Sequence, residues 1–207
     1  MMIISTLLDE FGMYPEGLRK GKGLFGIITD MKTPTDVHGA YLVTGPSGVG
    51  KTTVARELQR LGFNVEYNAG VCHFVDSTGK EAPRPWEVSN LAWLSMHRWV
   101  FNDSKLADIL QEHKNNHIFI EAIAANMDGY QSHFKNIFYL KLDDDALAER
   151  IMADSRANRY GKEDFQLLEV IDGAKNLELW VKAAGGSIID ASQPIDKIIE
   201  TVLAATE

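Results

Sequence analysis

An α/β fold, one parallel sheet with helices on both faces, is predicted by three features of this sequence. Short apolar runs recur at residues 40–43, 63–67, 117–121, 137–142 and 187–189. The stretches between them carry apolar residues at helical spacing, as in Val54, Leu58 and Leu61. The first run leads directly into a glycine-rich loop and then a helix, the strand–loop–helix order of a βα unit.

The 207 residues suit one domain with a full core. A net charge of −8 argues against a nucleic-acid backbone as the main partner. Cys72 is the single cysteine, which excludes an internal disulfide and fits a reducing cytoplasm. Nothing beside it marks a nucleophile, so it reads as a small buried filler. No apolar run approaches the length of a membrane span. The opening MMIISTLLDE lacks a basic segment and turns acidic at once, unlike a signal peptide.

The loop after the first strand reads Gly45-Pro46-Ser47-Gly48-Val49-Gly50-Lys51-Thr52 and fits G-x-x-x-x-G-K-[ST] throughout. About one chain in a hundred of this length would match by accident. Gly45, Gly48 and Gly50 let the backbone curl with no side chain in the way. The inward N–H groups and the helix N-terminus then favour an anion. Lys51 is placed for the β- and γ-phosphates and the Thr52 hydroxyl for Mg²⁺. Thr53 continues the segment into the helix, so residues 45–53 form the candidate nucleotide cradle.

Residues 1–39 precede this strand as an extension. A short helix is expected over 3–11, with Ser5 as cap, and a strand over 24–29. Arg19, Lys20 and Lys22 form a basic cluster, read as a solvated turn against a second anion contact or the arm of a homodimer. Gly62 ends the first helix. Residues 77–80 suggest a hairpin turn between short strands. Residues 88–110 read as one or two helices, with Leu91, Leu94, Met96, Val100, Leu106 and Leu110 apolar. Trp93 and His97, four apart, share a face. They read equally as partners for a base and as core aromatics.

The third run ends in Glu121, at the carboxyl end of a strand where ligands of parallel sheets bind. There a carboxylate either supports a Mg²⁺-bound water beside Thr52 or takes the proton of an acceptor hydroxyl. The plain alternative is a structural carboxylate. Asn126 and Asp128 either contact substrate or cap a turn. Asp143, Asp144 and Asp145 mark a helix start. That helix carries Arg150. Arg156, Arg159 and Lys162 follow in a basic stretch, read as cations for a transferred phosphoryl group against a solvated helix end. Leu168, Ile171, Leu177 and Val181 space a helix over 165–181, and a last helix is expected over 195–204.

The loop Gly45 to Thr53, the stretch from Arg150 through Arg156-Ala157-Asn158-Arg159-Tyr160-Gly161-Lys162 and the closing Ile189-Asp190-Ala191-Ser192-Gln193-Pro194 together resemble the P-loop small-molecule and nucleoside-monophosphate kinases, the adenylate kinase and shikimate kinase group. Within it, the chain looks most like adenylate-kinase-like bacterial ATP-binding proteins. The resemblance covers residues 40–204. It implies a P-loop NTPase three-layer sandwich with five parallel strands in the order 2-3-1-4-5 and right-handed crossovers. It implies an acceptor-binding region over about 68–115 and a lid over about 150–163, in a kinase-like domain of residues 40–207. ATP and Mg²⁺ are the implied cofactors and a nucleoside, nucleotide or other small molecule the acceptor. The loop 190–194 is expected to pack on the base. The group often carries an aspartate just after the second strand to grip the acceptor. Here that place reads Tyr67-Asn68-Ala69-Gly70, with Asp76 further on.

The leading expectation is therefore an ATP-dependent phosphotransferase. Lys51, Glu121, Arg150, Arg156 and Arg159 would be its catalytic residues, and Thr52 and Glu121 its metal contacts. Two alternatives stand beside it. One is a nucleotide-binding switch with little turnover, suggested by the missing aspartate. The other is an HPr-directed protein kinase, suggested weakly by His38-Gly39 before the strand.

Overall fold

The computed structural model describes residues 32–83, 91–153 and 160–206. The expectations for residues 3–11, 19–22 and 24–29, and those for Arg156 and Arg159, lie outside the described residues. Strand β1 (Gly39–Thr44), helix α1 (Lys51–Arg60) and strand β2 (Val65–Tyr67) open the fold. A short helix α2 (Asn68–Val71) leads into strands β3 (Cys72–Val75) and β4 (Glu81–Ala82). Helix α3 (Leu91–Met96), strand β5 (Arg98–Phe101) and helix α4 (Asp103–Glu112) follow. Then come β6 (His117–Glu121), β7 (Asn136–Lys141), α5 (Asp144–Met152), α6 (Asp164–Ala183), β8 (Ser187–Asp190) and α7 (Ile195–Ala204).

The main sheet runs β2-β6-β1-β7-β8, all pairs parallel. Counting only these five strands in chain order gives 2-3-1-4-5, the expected layout. Alternation divides the sheet's residues between two faces. Ala40, Leu42, Ile118, Ile120, Ile137 and Tyr139 pack with Leu106 of α4 and Val181 of α6. Tyr41, Phe119 and Phe138 stack on the other face, with ring centroids 5.1 Å and 6.0 Å from Tyr41. Helices α1 and α7 pack together there, α1 through Val54, Ala55 and Leu58.

Helix ends follow local chemistry. Gly62, at φ +92°, lets Phe63 N–H reach Leu58 O and its own N–H reach Gln59 O, both 3.0 Å. This is the Schellman closure expected of a C′ glycine. Asp143 Oδ1 accepts from Ala146 N at 2.8 Å, so the aspartate run starts a helix as expected.

The helix expected over 165–181 is present as α6, and one expectation is corrected. Residues 88–110 are not wholly helical, because β5 interrupts them. Trp99, Val100 and Phe101 favour strand, and they pair antiparallel with β3 in a separate sheet ordered β4-β3-β5. The buried stripe of α6 is Gln166, Val170, Ala174 and Val181, while Leu168 is 64% exposed. Val170 and Ala174 supply a second helical phase that packs on β7, where Tyr139 Oη donates to Ala174 O at 2.8 Å.

Candidate active site

The site lies at the carboxyl edge of the main sheet, in a cleft of about 1880 Å³. Pro46, Ser47, Gly48, Gly50, Lys51, Thr52 and Thr53 line it directly. Val49, 1% exposed, anchors the loop from behind. Gly48 has φ +91°, and a Cβ there would stand 2.7 Å from Ile151 Cγ1 of α5. Gly50, at φ +113°, is the N-cap of α1 and has no side chain to cap it. The start of α1 thus carries no side-chain cap, and a helix N-terminus of this kind attracts an anion.

Lys51 is 8% exposed. Its Nζ donates to Gly45 O at 2.9 Å and to Pro46 O at 3.0 Å. Glu121, 6% exposed, ends β6 with Val43 of β1 and Tyr67 of β2 beside it in register. Alternation puts it on the same face as Phe119, the face that α1 covers. Burial raises its pKa above the usual carboxylate range. The charge of Lys51, the Asn68 N–H and the Thr52 hydroxyl pull the other way. So the lysine, the threonine and the carboxylate are brought together.

Arg150 also reaches the cleft. Its guanidinium donates to Val49 O and to Ala191 O, each at 3.1 Å. It thereby ties the phosphate loop to the turn after β8. That turn is stiffened by Asp190, which accepts from Ser192 N at 2.9 Å, Ser192 Oγ at 2.6 Å and Gln193 Nε2 at 3.1 Å.

The opposite wall is the three-stranded sheet. Phe74 meets Trp99 and Trp93 edge-on, at 4.7 Å and 4.8 Å between centroids. Trp93 and His97 stack on each other at 3.8 Å and 7°, with His97 Nδ1 bonded to Trp93 O. Each gives one ring face to the other, and Phe74, His97 and Trp99 line the cleft on this side. Asp76 does not stand in for the absent aspartate. It closes the β3–β4 turn, accepting from Thr78 N, Thr78 Oγ1 and Lys80 N at 2.6–3.0 Å. Asn126 holds Phe101 N through Oδ1 at 2.8 Å. The Cys72 thiol is buried and pushed up to about 12 by burial and by Glu121, consistent with an inert filler.

Residues 42–169 match the model of a protein family described as an AAA domain. The chain belongs to that family. No curated protein matches this AAA domain. Two kinases are among the solved structures that share its fold. One is a gluconokinase from Sinorhizobium meliloti 1021, 15% identical, with a TM-score of 0.50 over 84% of this chain and 92% of that one. The other is a shikimate kinase from Acinetobacter baumannii in complex with shikimate, 17% identical, with a TM-score of 0.50 over 82% of this chain and 95% of that one. The architecture is thus that of the P-loop small-molecule kinases. Among its described residues no helix is long and apolar enough to cross a membrane.

Three parts of the cleft of this AAA domain were not found by sequence reasoning. Trp99 was hidden in a run read as helix. Arg56 lies one helical turn beyond Thr52 and lines the cleft. Phe165, Glu169, Gly173 and Leu177 of α6 form a further wall. Their spacing of four is visible in the sequence, but only the fold shows that this face borders a cleft.

Proposed function

We propose that the chain is an ATP-dependent phosphotransferase that moves the γ-phosphoryl group to a small-molecule or nucleotide acceptor. One observation carries this reading: a buried lysine seated in the phosphate loop faces a buried carboxylate that also contacts the Thr52 hydroxyl. The residues fit a Mg²⁺-nucleotide. Gly48 lets the loop run close against Ile151 of α5, and Gly50 places no side-chain cap over the start of α1. Among the described residues no three acidic, histidine or cysteine side chains converge on one point. Mg²⁺ asks for no such cage, since it takes one or two protein oxygens, water and phosphate oxygens. When bound, Mg²⁺-ATP supplies the phosphoryl group and a counter-charge for it.

The chain's own groups do the rest. The loop amides and Lys51 orient the β- and γ-phosphates, and Thr52 and Glu121 hold the metal side. Glu121 also stands at the strand end where a carboxylate can accept the acceptor hydroxyl's proton. Arg150 keeps the loop and the base-side turn in register. Arg156 and Arg159, in the proposed lid over 150–163, would neutralise the transferring group and exclude water. The acceptor enters from the region 68–115, in a body formed by residues 40–207. Catalysis of this kind needs positioning and charge neutralisation more than covalent chemistry.

Calorimetric titration with Mg²⁺-ATP and Mg²⁺-GTP, followed by transfer assays on nucleosides, nucleotides and sugar acids, tests the reading. Saturable ATP binding with acceptor-dependent ADP release is the expected result. Absence of binding at millimolar nucleotide would overturn it.

A further inference from the structure

Asn68 opens α2 directly after β2 and lines the cleft. Its backbone N–H donates to Glu121 Oε2 at 3.4 Å. Its side-chain Oδ1 accepts from Trp99 Nε1 at 3.1 Å and from Ile123 N at 3.4 Å. Two N–H donors converge on one atom of the carboxamide, so that atom must be the oxygen. One residue therefore touches three segments: the carboxylate that ends β6, the chain two residues beyond it, and the aromatic wall on β5. The wall is tied to the same loop a second time, because Ala125 N donates to Trp99 O at 2.8 Å and Phe101 N to Asn126 Oδ1 at 2.8 Å.

We infer that Asn68 is a positioning residue that sets Glu121 against the three-stranded wall, so that nucleotide arrival at Lys51, Thr52 and Glu121 is felt by the Trp99 indole. The inference rests on the phosphotransferase reading. A carboxylate that works beside a phosphate must be held within a fraction of an ångström. Glu121 sits at a strand end, 6% exposed, followed by the small residues Ala122, Ala124 and Ala125. From the end of the neighbouring strand, Asn68 holds the Glu121 carboxylate through its backbone N–H and the chain just beyond it, at Ile123 N, through its side-chain oxygen.

The test is tryptophan emission during titration with Mg²⁺-ADP, with calorimetry on the same samples. The wild-type chain should show a saturable emission change whose midpoint matches the calorimetric Kd. Trp99→Phe should lose most of that change while still giving binding heat, which assigns the signal among Trp86, Trp93, Trp99 and Trp180. Asn68→Ala should bind with heat and lose the change. Asn68→Asp, which keeps an oxygen for Trp99 and Ile123, should restore it, and this pair of variants remains decisive should Asn68→Ala fold poorly. Wild-type heat without an emission change, an undiminished change in Trp99→Phe, or an undiminished change in Asn68→Ala would each overturn the inference. Absence of heat in the wild-type chain is a different failure: it removes the phosphotransferase reading and this inference with it.

Discussion

Replacing Gly48 by alanine separates two costs that the phosphate loop imposes at one position. Gly48 has φ +91°, and its added Cβ would meet Ile151 Cγ1 at 2.7 Å. Gly79, in the β3–β4 turn, has φ +84° and nothing within 4 Å of such a Cβ. Both substitutions carry the left-handed backbone penalty, about 1–2 kcal/mol. Both also gain a similar, smaller entropic benefit through the unfolded chain. Only Gly48→Ala adds a collision with a core side chain that is 0% exposed, and overpacking of that kind costs about 1–3 kcal/mol. The difference between the variants therefore isolates the collision. In a chain of this size each kcal/mol moves the melting point by about 2–4 °C, so Gly48→Ala should melt several degrees below Gly79→Ala. Differential scanning calorimetry without nucleotide measures it. Mg²⁺-ATP titration of the same pair should show weakened binding for Gly48→Ala alone. Equal melting points would refute the close approach of the loop to α5.

Three further outcomes follow from the site and the core. Lys51→Ala should keep its far-ultraviolet circular dichroism and lose phosphoryl transfer by about two orders of magnitude or more, because the ammonium acts on developing phosphate charge; turnover near that of the parent would remove Lys51 from its role. Arg150→Ala should lower both stability, by about 1–3 kcal/mol, and nucleotide affinity, since Val49 O and Ala191 O lose a shared charged donor; denaturant titration and calorimetry report the two effects. His117 is 2% exposed, its Nε2 accepts from Asn64 N at 2.8 Å, and its Nδ1 has no hydrogen bond. Burial lowers its pKa below the usual 6.5, and the nearby carbonyls of Val37 and Pro34 offset this only in part. Protonation thus favours the unfolded chain. The neutral imidazole's contribution is complete above about pH 6.5 and drains away as pH falls below it, by at most about 1.4 kcal/mol per pH unit. His117→Gln should flatten the stability profile between pH 7 and pH 5, and an unchanged slope would contradict the assignment.

The donor side of this site was legible because it is local. The spacing from Gly45 to Thr52 carries the loop within one turn of chain, and the parity of residues along β6 puts Glu121 on the α1 face. Gly62 and Asp143 act on amides only a few residues away. The facing wall of the cleft was obscure because it depends on distant pairing. The run 98–101 becomes a strand only because Cys72–Val75 lies beside it in space. The same apolar residues, read alone after a helical stretch, continue the helix equally well. Trp93 and His97 were correctly placed on one face, but their mutual stacking has no sequence signature. Asp76 looked available because its three donors, in the turn ending at Lys80, are invisible without the turn. On α6 the sequence offers two apolar phases, and burial selects the one through Val170 and Ala174 over the one through Leu168.

The two ends of the three-stranded sheet adjoin where it leaves and rejoins the body. Asn102 N donates to Val71 O at 2.9 Å, and Cys72 lies opposite Phe101. A piece of chain whose two ends adjoin can be lengthened, trimmed or exchanged without disturbing the strands that flank it. Such a cassette lets one wall of the cleft be exchanged by changing a contiguous stretch of the gene. Grafting the corresponding segment between members of this fold is therefore a practical route to redirecting them.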